Sequence, residues 1–158
     1  MDAPSIFTRR EEDFLAALAD EGVEFLIVGL AAAALQGVPA VTQDIDLWFG
    51  PLNEERISSL RRALDRVGAT FVASTATTPP LIVGGGADLF DLVVHMHGLD
   101  SFERELEGAV RLELGRVVVP ALPLKRIIAS KRATDRPKDR AILPVLEDAL
   151  RTIEGRRS

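Results

Sequence analysis

Residues 41–49 read VTQDIDLWF, and no other stretch narrows the fold as much. Ile45, Leu47 and Phe49 alternate with Asp44, Asp46 and Trp48. That two-residue period is the mark of a β-strand, whose successive side chains point to opposite faces. One face is apolar and packs; the other carries two carboxylates one residue apart. Like charges at that spacing repel, and burial adds the loss of each carboxylate's water. Two arrangements resolve the conflict. Either a divalent cation lies between the acids, or the strand end is open and the acids are solvated.

A third acid sits in similar surroundings. In ADLFDLVVHM, Leu89, Asp91 and Val93 share one strand face, and Asp88 points the other way as a turn or strand-start residue. Asp91, flanked by Phe90 and Leu92, again calls for a partner. Were the two strands neighbours, Asp44, Asp46 and Asp91 would form a cluster of carboxylates. Such all-oxygen donor sets suit Mg²⁺ or Mn²⁺, which keep some waters and take further ligands from phosphates. Two such ions about 3.5–4 Å apart activate an attacking oxygen and stabilise a leaving one.

The rest of the chain alternates strands with helices. Thr8 and Glu11 make a capping box ahead of Phe14, Leu15 and Leu18, a helical stripe that Gly22 ends. VEFLIVG reads as a short buried strand ending at Gly29, and LAAAALQG as a short helix stopped by Gly37 and Pro39. Asn53 caps a helix with Ile57, Leu60, Leu64 and Val67 on one face. Residues 70–83 divide at TTPP into two short strands, and Gly84, Gly85 and Gly86 form a loop. Asp100 and Glu103 are read as a second capping box. VRLEL and VVVPAL form a hairpin across Gly115 and Arg116. Two helices close the chain, over residues 124–133 and 139–153, separated by Pro137, with Pro144 kinking the second or marking its first turn. The expectation is one α/β (α+β) domain over residues 1–158, with its core at about 22–120 and a helical segment at about 123–154.

Composition excludes several classes. The chain has no cysteine, which removes disulfides, thiolate metal sites and a cysteine nucleophile together. The longest apolar run, residues 25–35, is too short to span a membrane. No secretory leader pattern opens the sequence, so a cytoplasmic location is expected. No P-loop, dinucleotide fingerprint or nucleophile elbow occurs. The net charge of −5 is unevenly spread. Residues 125–158 hold ten Lys/Arg against five Asp/Glu, and residues 1–124 hold nine against nineteen. An acidic body with a basic final segment is a poor non-specific DNA binder, whether that segment faces phosphates or forms a salt-bridged surface helix.

IVGLAAAALQG, then TQDIDLWF, then FDLVV, in that order, resembles the nucleotidyltransferase superfamily that includes DNA polymerase β. That pattern has a glycine pair or Gly-Ser opening a short helix, a strand bearing hydrophobic-Asp-x-Asp-hydrophobic, and a later strand with a third acid. Within it the chain resembles small prokaryotic nucleotidyltransferases related to the toxin of type IV abortive-infection systems, the segment PALPLKRIIASKRATDRPKDRAILPVLE matching their closing helices. The likeness spans roughly residues 25–150. It implies a nucleotidyltransferase fold, a mixed twisted sheet of about four or five strands with flanking helices, and transfer of an NMP from an NTP to an acceptor hydroxyl with release of pyrophosphate. A toxin–antitoxin or phage-defence setting is implied with it.

The same resemblance implies roles. Asp44 and Asp46 hold two Mg²⁺ or Mn²⁺ ions, and Asp91 holds the ion that activates the acceptor and accepts its proton. Gly29 lets backbone approach the triphosphate. Lys131, Arg136 and Lys138 neutralise phosphates, and Asp139 orients one of them. Leu30 stands where the pattern has its second small residue, and this departure favours an alternative reading: a weakly active or inactive binding module, serving as a partner subunit or antitoxin. His95 and His97 read as packing or surface, and Trp48 as core rather than a platform for a base. The expected acceptor is a small molecule, an RNA end or a protein; long duplex DNA and membranes are not expected partners, and a homodimer or partner protein would supply further recognition surface.

Overall fold

The computed structural model describes residues 7–157. Thr8 opens the first helix, α1 (Arg9–Asp20), through the reciprocal bonds of a capping box: its hydroxyl accepts from the Glu11 amide and its own amide donates to the Glu11 carboxylate. Phe14, Leu15 and Leu18 then face the core. The strand β1 (Leu26–Val28) is buried throughout and runs directly into α2 (Gly29–Leu35), whose Ala31, Ala32 and Ala33 let the helix lie close to its neighbours. β2 (Ile45–Trp48) follows, so Asp44 is the residue just before the strand rather than part of it.

Asn53 caps α3 (Glu54–Val67) by accepting from the Arg56 amide, and Gly68 ends it in a left-handed conformation. β3 (Ala69–Val72) and β4 (Leu81–Gly84) pair only with each other, as an antiparallel ribbon apart from the main sheet. The turn after them is tied by Asp88, whose carboxylate accepts from the Gly84 amide. β5 (Phe90–Val93), α4 (Phe102–Glu107), the hairpin β6 (Val110–Leu114) and β7 (Val117–Ala121), then α5 (Leu124–Thr134) and α6 (Pro137–Arg157) complete the described chain.

The main sheet has the order β5-β2-β1-β7-β6. β2 and β7 flank β1, the first antiparallel to it and the second parallel; β5 runs parallel to β2 and β6 antiparallel to β7. This five-stranded mixed sheet agrees with the four or five strands that the resemblance implies. Its apolar side holds Ile45, Leu47 and Phe49, and the last two are fully buried.

Two helix starts differ from the sequence expectation. Ser101, not Asp100, caps α4, accepting from the Arg104 amide. The acid that reaches back is Glu105, not Glu103; it accepts from the Asp100 amide and takes two further bonds from Arg126 on α5. A buried carboxylate with a guanidinium partner outcompetes an exposed one for that place. α6 begins at Pro137 rather than Asp139, because proline's fixed φ suits a first helical position. Of the two readings of Pro144, a kink within the helix or its first turn, the second does not hold. Pro144 lies inside the continuous helix and costs it the bond to the Arg140 carbonyl. No described helix is long and apolar enough to cross a membrane.

Candidate active site

Strand pairing brings the acids together. Asp46 on β2 is the register partner of Asp91 on β5, so the two side chains project from the same face of adjacent strands, about 4.8 Å apart between backbones. Asp44, two residues before Asp46, approaches that face from the strand entry, where the Thr42 hydroxyl donates to the Asp44 carbonyl. Gly29 lies beside them at the end of β1. Its φ is +70°, and a Cβ there would lie 3.3 Å from an Asp46 carboxylate oxygen. Glycine at this position gives Asp46 its space.

Asp46 is half-buried, whereas Asp44 and Asp91 are exposed. Burial raises the Asp46 carboxyl above its ordinary range, repulsion from Asp91 and Asp44 adds to this, and Lys131 and Lys138 partly offset it. Asp91 is raised as well, first by desolvation and then by Asp44. Ionising Asp46 is thus opposed first by its burial and then by its acidic neighbours, with Lys131 and Lys138 offsetting part of that.

The opposite wall comes from α5 and α6. Asp135 ends α5 in a left-handed conformation and turns the chain into Arg136 and the start of α6. Asp139 is only 1% exposed. It accepts from the Arg136 amide at 3.1 Å and from the guanidinium at 2.7 and 3.2 Å, and the Lys131 ammonium lies 3.4 Å away. Hydrogen bonds from Arg136 are the main reason that the Asp139 carboxyl falls to about 2. Lys131 and Arg136 are thus fixed in place by one buried acid. Among the described residues Lys138 makes no ion pair.

Asp44, Asp46, Asp91, Lys131, Arg136 and Lys138 line one cavity of about 600 Å³. Leu30 is half-buried and lines it too, so its side chain does stand at the site. Gly29 lies instead on a smaller adjoining cavity. Trp48 is core: it is 4% exposed and meets the Phe102 ring edge-on at 5.2 Å. Nothing in the order of residues measures how deep Asp139 lies. The available signal was its place three residues after Arg136 at a helix start, the spacing at which an acid reaches back to an amide.

Among the described residues, no group of three or more His, Asp or Glu side chains is drawn together tightly enough to hold a metal ion. The donor chemistry nevertheless fits a hard cation, because carboxylates side by side on adjacent strands repel and an ion between them removes that repulsion.

No protein-family model and no curated protein matches the chain. Two solved structures of ANT(2'')-Ia are similar to it. Its crystal structure in complex with adenylyl-2''-tobramycin superposes with a TM-score of 0.56 at 18% identity, covering 88% of this chain and 86% of that one. The solution structure of the same antibiotic-resistance factor gives 0.55 at 19% identity, covering 88% and 81%. This likeness shows the fold: the five-stranded mixed sheet with flanking helices is the nucleotidyltransferase fold of ANT(2'')-Ia.

Proposed function

We propose that the chain, acting as one unit over residues 1–158, is a metal-dependent nucleotidyltransferase that moves an NMP from an NTP to an acceptor hydroxyl. The observation that carries this reading is the register pair Asp46–Asp91, with Asp44 beside it and three cations across the same cavity. Mg²⁺ or Mn²⁺ held by Asp44, Asp46 and Asp91 would supply charge neutralisation and a more acidic acceptor hydroxyl. The acceptor oxygen bonds to the α-phosphorus, the bond from that phosphorus to the bridging oxygen breaks, and pyrophosphate leaves with the electron pair. Asp91, whose proton affinity is raised, takes the acceptor proton. Lys131 and Arg136, held by Asp139, face the phosphates from fixed positions, and Lys138 adds a cation not tied to an acid. Rigid donors aimed at developing charge are worth more than mobile ones.

The test is pyrophosphate release that requires both NTP and Mg²⁺. A protein that releases none with any NTP, in the presence of RNA, lysate and small hydroxylated acceptors, would sink the proposal. Labelled NTPs incubated with total RNA and lysate would identify which fraction is modified. A toxin–antitoxin or phage-defence setting rests on the sequence resemblance alone. The basic residues between Lys125 and Arg140 are few, which suits a small molecule, an RNA end or a protein as acceptor more than long duplex DNA.

One observation favours a second reading, a nucleotidyltransferase-like binding module of little activity: Leu30 lines the cavity beside the acids. Its isobutyl group occupies space that a phosphate would use. Replacing it separates the readings. Leu30→Ser is expected to tighten NTP·Mg²⁺ binding by roughly tenfold, the equivalent of about 1.4 kcal/mol, in calorimetry. If the wild type binds no NTP at millimolar ligand and Leu30→Ser does not restore binding, the site is not a nucleotide site. If only the variant binds, the inactive-module reading holds.

A further inference from the structure

The cleft between α2 and α6 does not end at the carboxylates. Leu30 and Ala31 of α2, with Ala141 and Ile142 of α6, wall the cavity that holds Asp44, Asp46 and Asp91. Further along the same two elements lies a larger trough of about 780 Å³, with Gln36 and Pro39 on one side and α6 from Pro144 to Arg156 on the other. Gln36 holds the first wall in place: its side-chain amide donates to the Ala32 and Leu122 carbonyls, and its oxygen accepts from the Leu124 amide. On α6, Val145, Ala149 and Ile153 are half-buried and follow one another at helical spacing, which makes an apolar floor. The charged lining is Asp148, Arg151 and Arg156. Asp148 and Arg151 are exposed and stand 3.5 Å apart, a loose pair, and Arg156 makes no ion pair among the described residues.

We infer that this trough receives the acceptor as an extended protein segment, its Ser, Thr or Tyr hydroxyl at Asp91 and an acidic side chain at Arg151 and Arg156. The inference rests on the nucleotidyl-transfer reading and names the acceptor's class. Length argues for a chain. From Lys138 at the site to Arg156 the helix rises about 27 Å, far more than a small hydroxylated molecule covers. Lining argues against a nucleic-acid strand. The trough holds no aromatic side chain on which a base could stack, Arg156 is its one unpaired cation, and Asp148 would repel phosphates. An apolar floor with a cationic far end suits alternating apolar and acidic side chains instead. In the reaction the side-chain oxygen bonds to the α-phosphorus, its proton passes to Asp91, and pyrophosphate leaves with the electron pair of the broken bond. The spacing follows from geometry. Arg151 and Arg156 lie about 14 and 21 Å along the helix from Ile142, which an extended chain covers in about four to six residues.

The test offers the full chain, with Mg²⁺ and labelled NTPs, synthetic peptides that carry one hydroxyl residue, apolar neighbours and a single Glu moved stepwise away from it. Label is expected where Glu lies about four to six residues from the hydroxyl, at least about tenfold above the same peptide with Gln. Arg151→Glu/Arg156→Glu, at exposed positions in the last turns of α6, should reverse the preference toward a peptide with Lys at that place. Equal labelling of Glu and Gln peptides, or a preference that the charge reversal leaves intact, overturns the inference. So does label that enters RNA or small hydroxylated acceptors but no peptide; the transfer reading then stands and only the acceptor changes. A chain that turns over no NTP is judged by fluorescence anisotropy with the Glu peptide. Binding that the charge reversal weakens about tenfold keeps the trough as a peptide site and removes the transfer reading. No peptide binding in that case removes both.

Discussion

Asp46→Asn is expected to lower NTP- and Mg²⁺-dependent pyrophosphate release by at least about 10²–10³-fold, the scale seen when a preorganised group at the reacting centre is lost. Asp46 is the carboxylate with the most neighbours at the site: Asp91 across the strand pair, Asp44 before it, Gly29 against it, and both cavities beside it. The amide keeps the shape and removes the charge. Stability should move the other way. Burial and its acidic neighbours raise the Asp46 carboxyl in the folded chain, so its ionised form opposes folding, and that penalty grows as pH rises through the ordinary carboxylate range. The variant should therefore melt at the same temperature as the wild type or higher at neutral pH. Activity lost together with several degrees of melting temperature would mean a damaged fold. Unchanged activity would remove the carboxylates from the chemistry.

Asp139→Asn has the largest expected effect on stability. The carboxylate is buried and holds the Arg136 guanidinium, the Arg136 amide and the Lys131 ammonium at the junction of α5 and α6. Removing one partner of a buried pair costs several kcal/mol. Because Arg136 is half-exposed and water takes over part of its charge, the expected loss is about 2–3 kcal/mol. For a chain of this length that is roughly 5–10 °C in melting temperature. The pH dependence has a definite sign. The folded-state value is depressed to about 2, so this stabilisation is complete above the ordinary carboxylate range and disappears as pH falls through that range toward 2. The gap between wild type and variant should close on acidification. A gap that persists unchanged at pH 2 would mean that packing, not charge, is what Asp139 supplies. Turnover should fall as well, since Arg136 and Lys131 would lose their fixed positions.

Much of this architecture was legible because its signals are local. The alternation of Asp44, Ile45, Asp46 and Leu47 needs only a period of two, and the Thr8 and Asn53 caps need only three residues of context. What the sequence could not give is pairing. Asp46 and Asp91 meet because β2 and β5 are parallel neighbours in one register, a fact set by packing across the whole sheet. The same limit hid the separation of β3 and β4 from the main sheet. At Asp100 and Ser101 two adjacent residues offered cap oxygens, and Arg126, twenty-five residues beyond Ser101 in the chain, favoured the arrangement with Glu105 as the reaching acid. His95 and His97, read as packing or surface, are exposed; what the sequence could not place beside them is Ser130 and Lys131 of α5.

The sheet order also has a consequence in time. β1 is the first strand of the described chain and the central one of its sheet, yet one of its two neighbours, β7, is the last strand described. A ribosome delivering the chain from its amino end releases Asp44 and Asp46 long before Val117–Ala121 can close the other side of β1. Until then the central strand has an open edge, and pairings this distant in sequence form slowly. The nascent chain would thus carry its acids without a completed scaffold until β7 has been made. Chains truncated before Val117 should show no slowed amide exchange in Leu26–Val28; protection there would mean that β1 and β2 form a stable unit without their last partner.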